Sequence, residues 1–169
     1  MQTKLAILST TLFATLAATC LANPRVVSPE DAQGVERASA QFYTSLNALF
    51  TGDAAPMKQV WSHADDVTYM GPAGGFLSGW TRVQAAWETQ AAMKLGGEIV
   101  ADTLHVTVGD DLAIVHCRES GSNRDAQGRP LPVSIRATNV FRKENGVWKM
   151  IGHHTDLLPF LQQDSAATE

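Results

Sequence analysis

From residue 98 to residue 155 the chain reads as four consecutive strands joined by turns, and the segment before them reads mainly as helix. That order limits the fold more than any other feature. Residues 98–108 alternate, with Leu104, Val106 and Val108 on one face and Thr103, His105 and Thr107 on the other, the period of a half-buried strand. Gly109-Asp110-Asp111 supplies a tight turn,. Leu112 to Ser120 and Val133 to Lys143 are the next two strands, and Glu144-Asn145-Gly146 is a hairpin turn before a last strand from Val147 to Thr155. Residues 121–132 (GSNRDAQGRPLP) are rich enough in turn residues to read as a polar loop,.

Upstream, Ser28-Pro29-Glu30-Asp31 is a helix start, with Ser28 as cap, Pro29 at the first helical position and acid in the first turn,. Val35, Ala38, Phe42, Leu46 and Leu49 then recur at three- and four-residue steps, and Gly52 stops the stripe,. Asp53 can cap a short second helix through Pro56, Val60 and Trp61. Residues 65–70 are strand-like and end at a Gly-Pro-rich turn. Ser78-Gly79 opens a third helix carrying Val83, Trp87 and Ala91, ended by Gly96-Gly97. Three helices cannot cover both faces of a mostly antiparallel sheet, so they belong on one face: an α+β fold. A curved sheet partly wrapped by helices makes a cone whose mouth is a natural ligand pocket.

The 169 residues suit one domain with a real core, at 44% hydrophobic and 18% charged,. A formal charge of −4 argues against nucleic-acid binding, which needs a basic face,. The first 22 residues stand apart. Lys4 precedes an apolar run from Leu5 to Ala22 that ends in small residues, the pattern of a secretory signal peptide,. Removing residues 1–22 leaves one domain, residues 23–169, with its core at about 28–156 and with 12 Lys and Arg against 17 Asp and Glu. Cys117 is then the only cysteine of that part, so no internal disulfide forms,. The expected location is periplasmic or secreted, with no membrane attachment after cleavage.

The order of elements and several strings resemble the nuclear transport factor two-like superfamily, which includes ketosteroid isomerase and the SnoaL-like polyketide cyclases. The strings are Gly52-Asp53, residues 64–72 (ADDVTYMGP), Gly79 with Trp80 to Trp87, residues 137–142 (ATNVFR), residues 145–151 (NGVWKMI) and His153-His154. The resemblance implies a cystatin-like α+β barrel, a curved, mostly antiparallel cone with three helices on one face. It also shows what is missing. The position of the isomerases' proton-abstracting aspartate is Gly71, so their base is absent. The oxyanion-stabilising position is Asn139, whose amide can still donate. The family tyrosine of the first helix has no clean match. Tyr43 is about two residues out of step, roughly 200° around a helix.

Strand alternation puts Asn139 with Ile135, Ala137 and Phe141 on the more apolar face. The resemblance turns Ile151, His153 and Thr155 toward the cone and Trp148, Met150 and His154 away from it. His153 and Asn139 are therefore the candidate catalytic residues, His153 because imidazole titrates near neutrality. Tyr69, Trp87, Tyr43 and Thr155 are the candidate ligand-binding residues. Each has a plainer reading as packing or as an internally bonded polar group, and Trp61 and Trp80 read as packing. A metal site would have to draw on His153, His154, Asp156 or His63. Adjacent strand histidines diverge and no H-x-H or H-x-x-x-H spacing occurs, so no metal and no cofactor is expected,.

The function expected is binding of a small molecule, with isomerase, lyase or cyclase chemistry by proton transfer. The alternative is a non-catalytic interaction module. A homodimer is expected through outward Val140, Trp148 and Met150. N-terminal sequencing of exported protein should begin at Asn23; a chain still starting at Met1 after export would refute the signal peptide.

Overall fold

The computed structural model describes residues 28–72 and 74–156. The signal-peptide stretch 1–22, the leader 23–27 and the polar tail after residue 156 lie outside those residues. Helix α1 (Pro29–Phe50) starts where the sequence puts it, with Ser28 Oγ accepting the Glu30 N–H at 3.2 Å. Its stripe of Val35, Ala38, Phe42, Leu46 and Leu49 is buried. Gly52 ends the run at φ +108. Asp53 Oδ1 accepts the Ala55 N–H and shapes the turn that leads into α2 (Met57–Val60). Helix α3 (Trp80–Ala92) buries Val83, Trp87 and Ala91.

Among the described residues six strands make one sheet: β1 (Thr68–Met70), β2 (Leu77–Ser78), β3 (Glu98–Val108), β4 (Leu112–Arg124), β5 (Pro130–Glu144) and β6 (Val147–Asp156). Their order is β2-β1-β6-β5-β4-β3. Only β1 and β6 run parallel. The sheet is open, with β2 and β3 as its edges. Helix α1 packs on β3, β4 and β6, and α3 on β1 and β2. The β5–β6 turn places Asn145 at φ +50 and Gly146 at φ +82, the backbone of a tight hairpin turn. Among the described residues no helix is long and apolar enough to cross a membrane.

The structure departs from the sequence reading in four places. Residues 65–67 are not strand; Asp66 is drawn instead onto Arg142 of β5. The two-residue β2 was not expected. Residues 121–132 are mostly not loop. Gly121 pairs with Val133 and Asn123 with Leu131, leaving a turn at 125–129 in which Asp125 Oδ1 accepts the N–H groups of Gln127 and Arg129. Among the described residues β6 pairs β5 only as far as Arg136, so Pro130 and Pro132 have a partner on the β4 side alone,.

The fourth departure is two β-bulges, each of which reverses side-chain alternation. One lies between Asp102 and His105, with Thr103 at φ +55, and turns Leu104 outward to 46% exposure rather than in beside Val106 and Val108. The other sets Val140 opposite Gly152 but Phe141 opposite Met150. The extra residue, Ile151, puts Trp148 and Met150 on the same side as His153. Both are buried under the helices and cannot supply the outward dimer contact expected of them. Gly34 of α1 makes room for this: a methyl there would come within 2.8 Å of Trp148 Cδ1.

The free edge of β3 is closed locally by one side chain. Asn47 of α1 donates from Nδ2 to the Ile99 carbonyl and accepts the Ile99 N–H, both at 2.9 Å. Asn47→Ala should strand both backbone groups in a half-buried place. At about 1–3 kcal/mol per unsatisfied group, the two groups together should cost about 2–6 kcal/mol in urea unfolding; an unchanged midpoint would refute it.

Candidate functional site

The inward rows of the sheet bring the polar groups together. Tyr69 on β1 is opposite His153 on β6, and His153 is opposite Asn139 on β5. Glu119 lies further along β4, opposite Ile135. Helix α1 lowers Tyr43 onto the same patch. His153 Nδ1–H donates to Asn139 Oδ1 at 2.6 Å. Asn139 Nδ2 donates to the Tyr43 hydroxyl at 3.0 Å, and that hydroxyl donates to Glu119 Oε1 at 3.0 Å. The Cys117 thiol, 3.1 Å from the same hydroxyl, completes its surroundings. Glu119 Oε1 is 3.8 Å from His153 Nε2.

This chain fixes the state of the imidazole. With Nδ1 donating to an amide oxygen, Nε2 carries the lone pair. His153 and Glu119 both line a cavity of about 350 Å³. Its inner wall includes His153, Glu119, Trp87 and Ile99, all buried, and its mouth has exposed Pro72, Pro132 and Ser134. Among the described residues no Lys or Arg lines it.

Burial sets the titration of both groups. It raises the Glu119 carboxyl from an ordinary 4.5 to about 7, partly opposed by the Tyr43 hydrogen bond. Burial also lowers His153, with a smaller contribution from the nearby His154, to about 3. Tyr69 is pushed up to about 12, chiefly by burial, so its hydroxyl stays a neutral donor. Burial likewise raises Tyr43 and Cys117.

The candidate residues therefore divide. His153, Tyr69 and Trp87 line the cavity; Asn139, Tyr43 and Thr155 do not. Asn139 is fully buried beside His153, with its oxygen and its amide both engaged. Tyr43 reaches the network despite its offset along the helix. Thr155 Oγ1 is buried without a partner. Tyr69 folds back so that its hydroxyl fills the space where a side chain on Gly71 would begin. The sequence reading missed Glu119, although its alternation with inward Ala113, Val115 and Cys117 was the available signal.

The four acid and imidazole groups considered for a metal do not converge on one point. His63 stacks on Trp80 and bonds the Lys58 carbonyl, His153 faces inward, and His154 pairs outward with Asp156. Among the described residues no three His, Cys, Asp or Glu side chains converge as a metal-ligand set.

An open α+β cone with a cavity ending in a carboxyl–imidazole pair defines a class of small-ligand folds. The family model described as a SnoaL-like domain matches residues 35–157, and the chain belongs to that family. Among solved structures it is similar to a proposed dehydratase of the nuclear transport factor two-like family from Streptomyces avermitilis, with 26% identity and a TM-score of 0.69, covering 78% of this chain and 99% of that one. It is also similar to a proposed calcium/calmodulin-dependent protein kinase type II association domain from Thiobacillus denitrificans, with 28% identity and a TM-score of 0.61, covering 73% and 94%. Among curated proteins, the F-box protein SKIP8 of Arabidopsis thaliana is 26% identical over 102 residues, 60% of this chain. The match spans 41% of that relative's length.

The two shifted groups oppose each other in stability. Glu119 holds more protons folded than unfolded between 4.5 and about 7, so its contribution is lost as pH rises through that window,. His153 holds fewer between about 3 and 6.5, so its contribution is lost as pH falls,. Across pH 4.5–6.5 they offset. Glu119→Gln should unmask His153, giving a urea midpoint that rises more steeply with pH than the wild type over that range; parallel curves would refute the assignment.

Proposed function

We propose that this chain binds a small, mainly apolar molecule and catalyses proton transfer on it, as an isomerase, lyase or cyclase that uses no metal. The observation carrying this reading is the pair at the inner wall of an otherwise apolar cavity. Glu119 and His153 both line the ligand space, and burial brings the carboxyl to about 7, near neutral pH, where a general base works best,. Glu119 takes the proton and returns it. His153, held neutral, accepts a hydrogen bond and orients the ligand. Tyr69 offers a neutral hydroxyl to charge that develops on the ligand. The likeness to a proposed dehydratase is in keeping with lyase chemistry.

One observation favours the non-catalytic alternative. Asn139 does not open into the cavity, so the pairing of a His153 base with an Asn139 oxyanion donor is withdrawn. A cone that only binds or associates would also suit the likeness to an association domain. We infer export from the N-terminal sequence. We also infer a homodimer through the outer sheet face, with Leu112, Ile114 and Val140 in place of Trp148 and Met150.

Native mass spectrometry of protein purified from its own host should reveal a retained small molecule, which then serves as the test substrate. Glu119→Gln should lower turnover by about 10²–10⁴, the usual range for one acid–base group, with the fold intact by circular dichroism. Full turnover in that variant would leave the non-catalytic reading.

A further inference from the structure

The outer face of the sheet carries a feature unrelated to the cavity. His105 on β3 is directly opposite His116 on β4, immediately after the first bulge. Both point outward. Val106, Val115 and Cys117, their neighbours along the strands, turn inward, and both histidines are exposed. Neither ring has a hydrogen bond or ion pair within the described chain. Directly opposed residues of an antiparallel pair hold their Cβ atoms about 4.5–5.5 Å apart, close enough for two imidazoles to lean onto one ion at about 2.0–2.1 Å from each nitrogen.

We propose that His105 and His116 form a two-histidine site for a borderline transition-metal cation such as Zn²⁺, Cu²⁺ or Ni²⁺, completed by water. Neutral imidazole suits these ions and not Mg²⁺ or Ca²⁺. The charges around the pair permit a cation. In the next outward row, Arg118 is already held by Asp102 through Nε and Nη2 at 3.0 and 3.1 Å. His154 continues the histidine row beyond Thr138, but its Nε2 is turned to Asp156 at 3.0 Å, so it is left out of the ligand set. The bulge makes the pair. Without the extra residue, strand alternation would place Leu104, not His105, on the outer face opposite β4.

The test is calorimetric titration of the untagged chain with ZnCl₂, CuCl₂ and MgCl₂. The expected result is one Zn²⁺ or Cu²⁺ per chain and no Mg²⁺. His105→Gln and His116→Gln should each weaken binding at least about tenfold, a factor that corresponds to about 1.4 kcal/mol, while His63→Gln leaves it unchanged. No stoichiometric binding by the wild type would overturn the proposal. So would binding that survives both substitutions, or that is lost instead in Glu119→Gln, which would move the ion to the cavity.

Discussion

The hydrogen bond from His153 to Asn139 Oδ1 is the contact on which the rest of the site depends. A fully buried amide is tolerated only if its donors and acceptors are matched. Asn139 spends its oxygen on the imidazole and its nitrogen on Tyr43. That choice sets the direction of every later bond. It fixes the imidazole with its proton on Nδ1, leaves the tyrosine proton for Glu119, and so holds the carboxyl 3.8 Å from the unprotonated nitrogen. Partly satisfied, such a network would destabilise an apolar core more than it specified it. Here three elements, α1, β4 and the β5–β6 pair, are tied to one geometry by it.

The cavity persists because the surrounding packing is complete without filling it. Phe42 meets Tyr43, Trp87 and His153 at ring-centroid distances of 5.0, 6.3 and 4.9 Å, and Tyr69 packs on Trp87 at 4.4 Å. These rings support each other from the helix side. Tyr69 closes the place of a Gly71 side chain, so the wall that holds a base in the isomerases holds a phenol here. The acid has moved to β4. A residue-by-residue comparison with one family pattern finds no acid on that wall, whereas a buried carboxyl, Glu119, lines the cavity from a different strand.

Much of this was legible in the sequence. Helix α1 was readable because cap, proline and stripe agree, and β3 because its second half alternates in sequence. Asn139 and His153 were placed inward by parity and by resemblance, without their partnership being visible. What escaped was whatever depends on register. A bulge changes parity at a point that no composition marks, which is why Trp148, Met150 and Leu104 face the opposite way from the reading. The segment 121–132 looked like loop because Gly, Ser, Asn and Pro dominate it, yet its pairing is inherited from the strands that feed it. The His105–His116 pair belongs to the same class: eleven positions apart in sequence, they meet only through the register that follows the bulge.

The acid and the imidazole also limit each other. Burial disfavours charge on both groups, raising the Glu119 carboxyl to about 7 and lowering His153 to about 3,. The pair therefore rests as carboxylic acid and neutral imidazole between those two values. Above about pH 7 the carboxylate is, among the described residues, the only charge lining the cavity. A ligand that excludes water there raises the cost of that charge, and a hydrogen-bond donor on the ligand lowers it. The proton affinity of Glu119 is thus set by what occupies the cavity, a dependence that an exposed surface carboxylate, screened by water on every side, would not have.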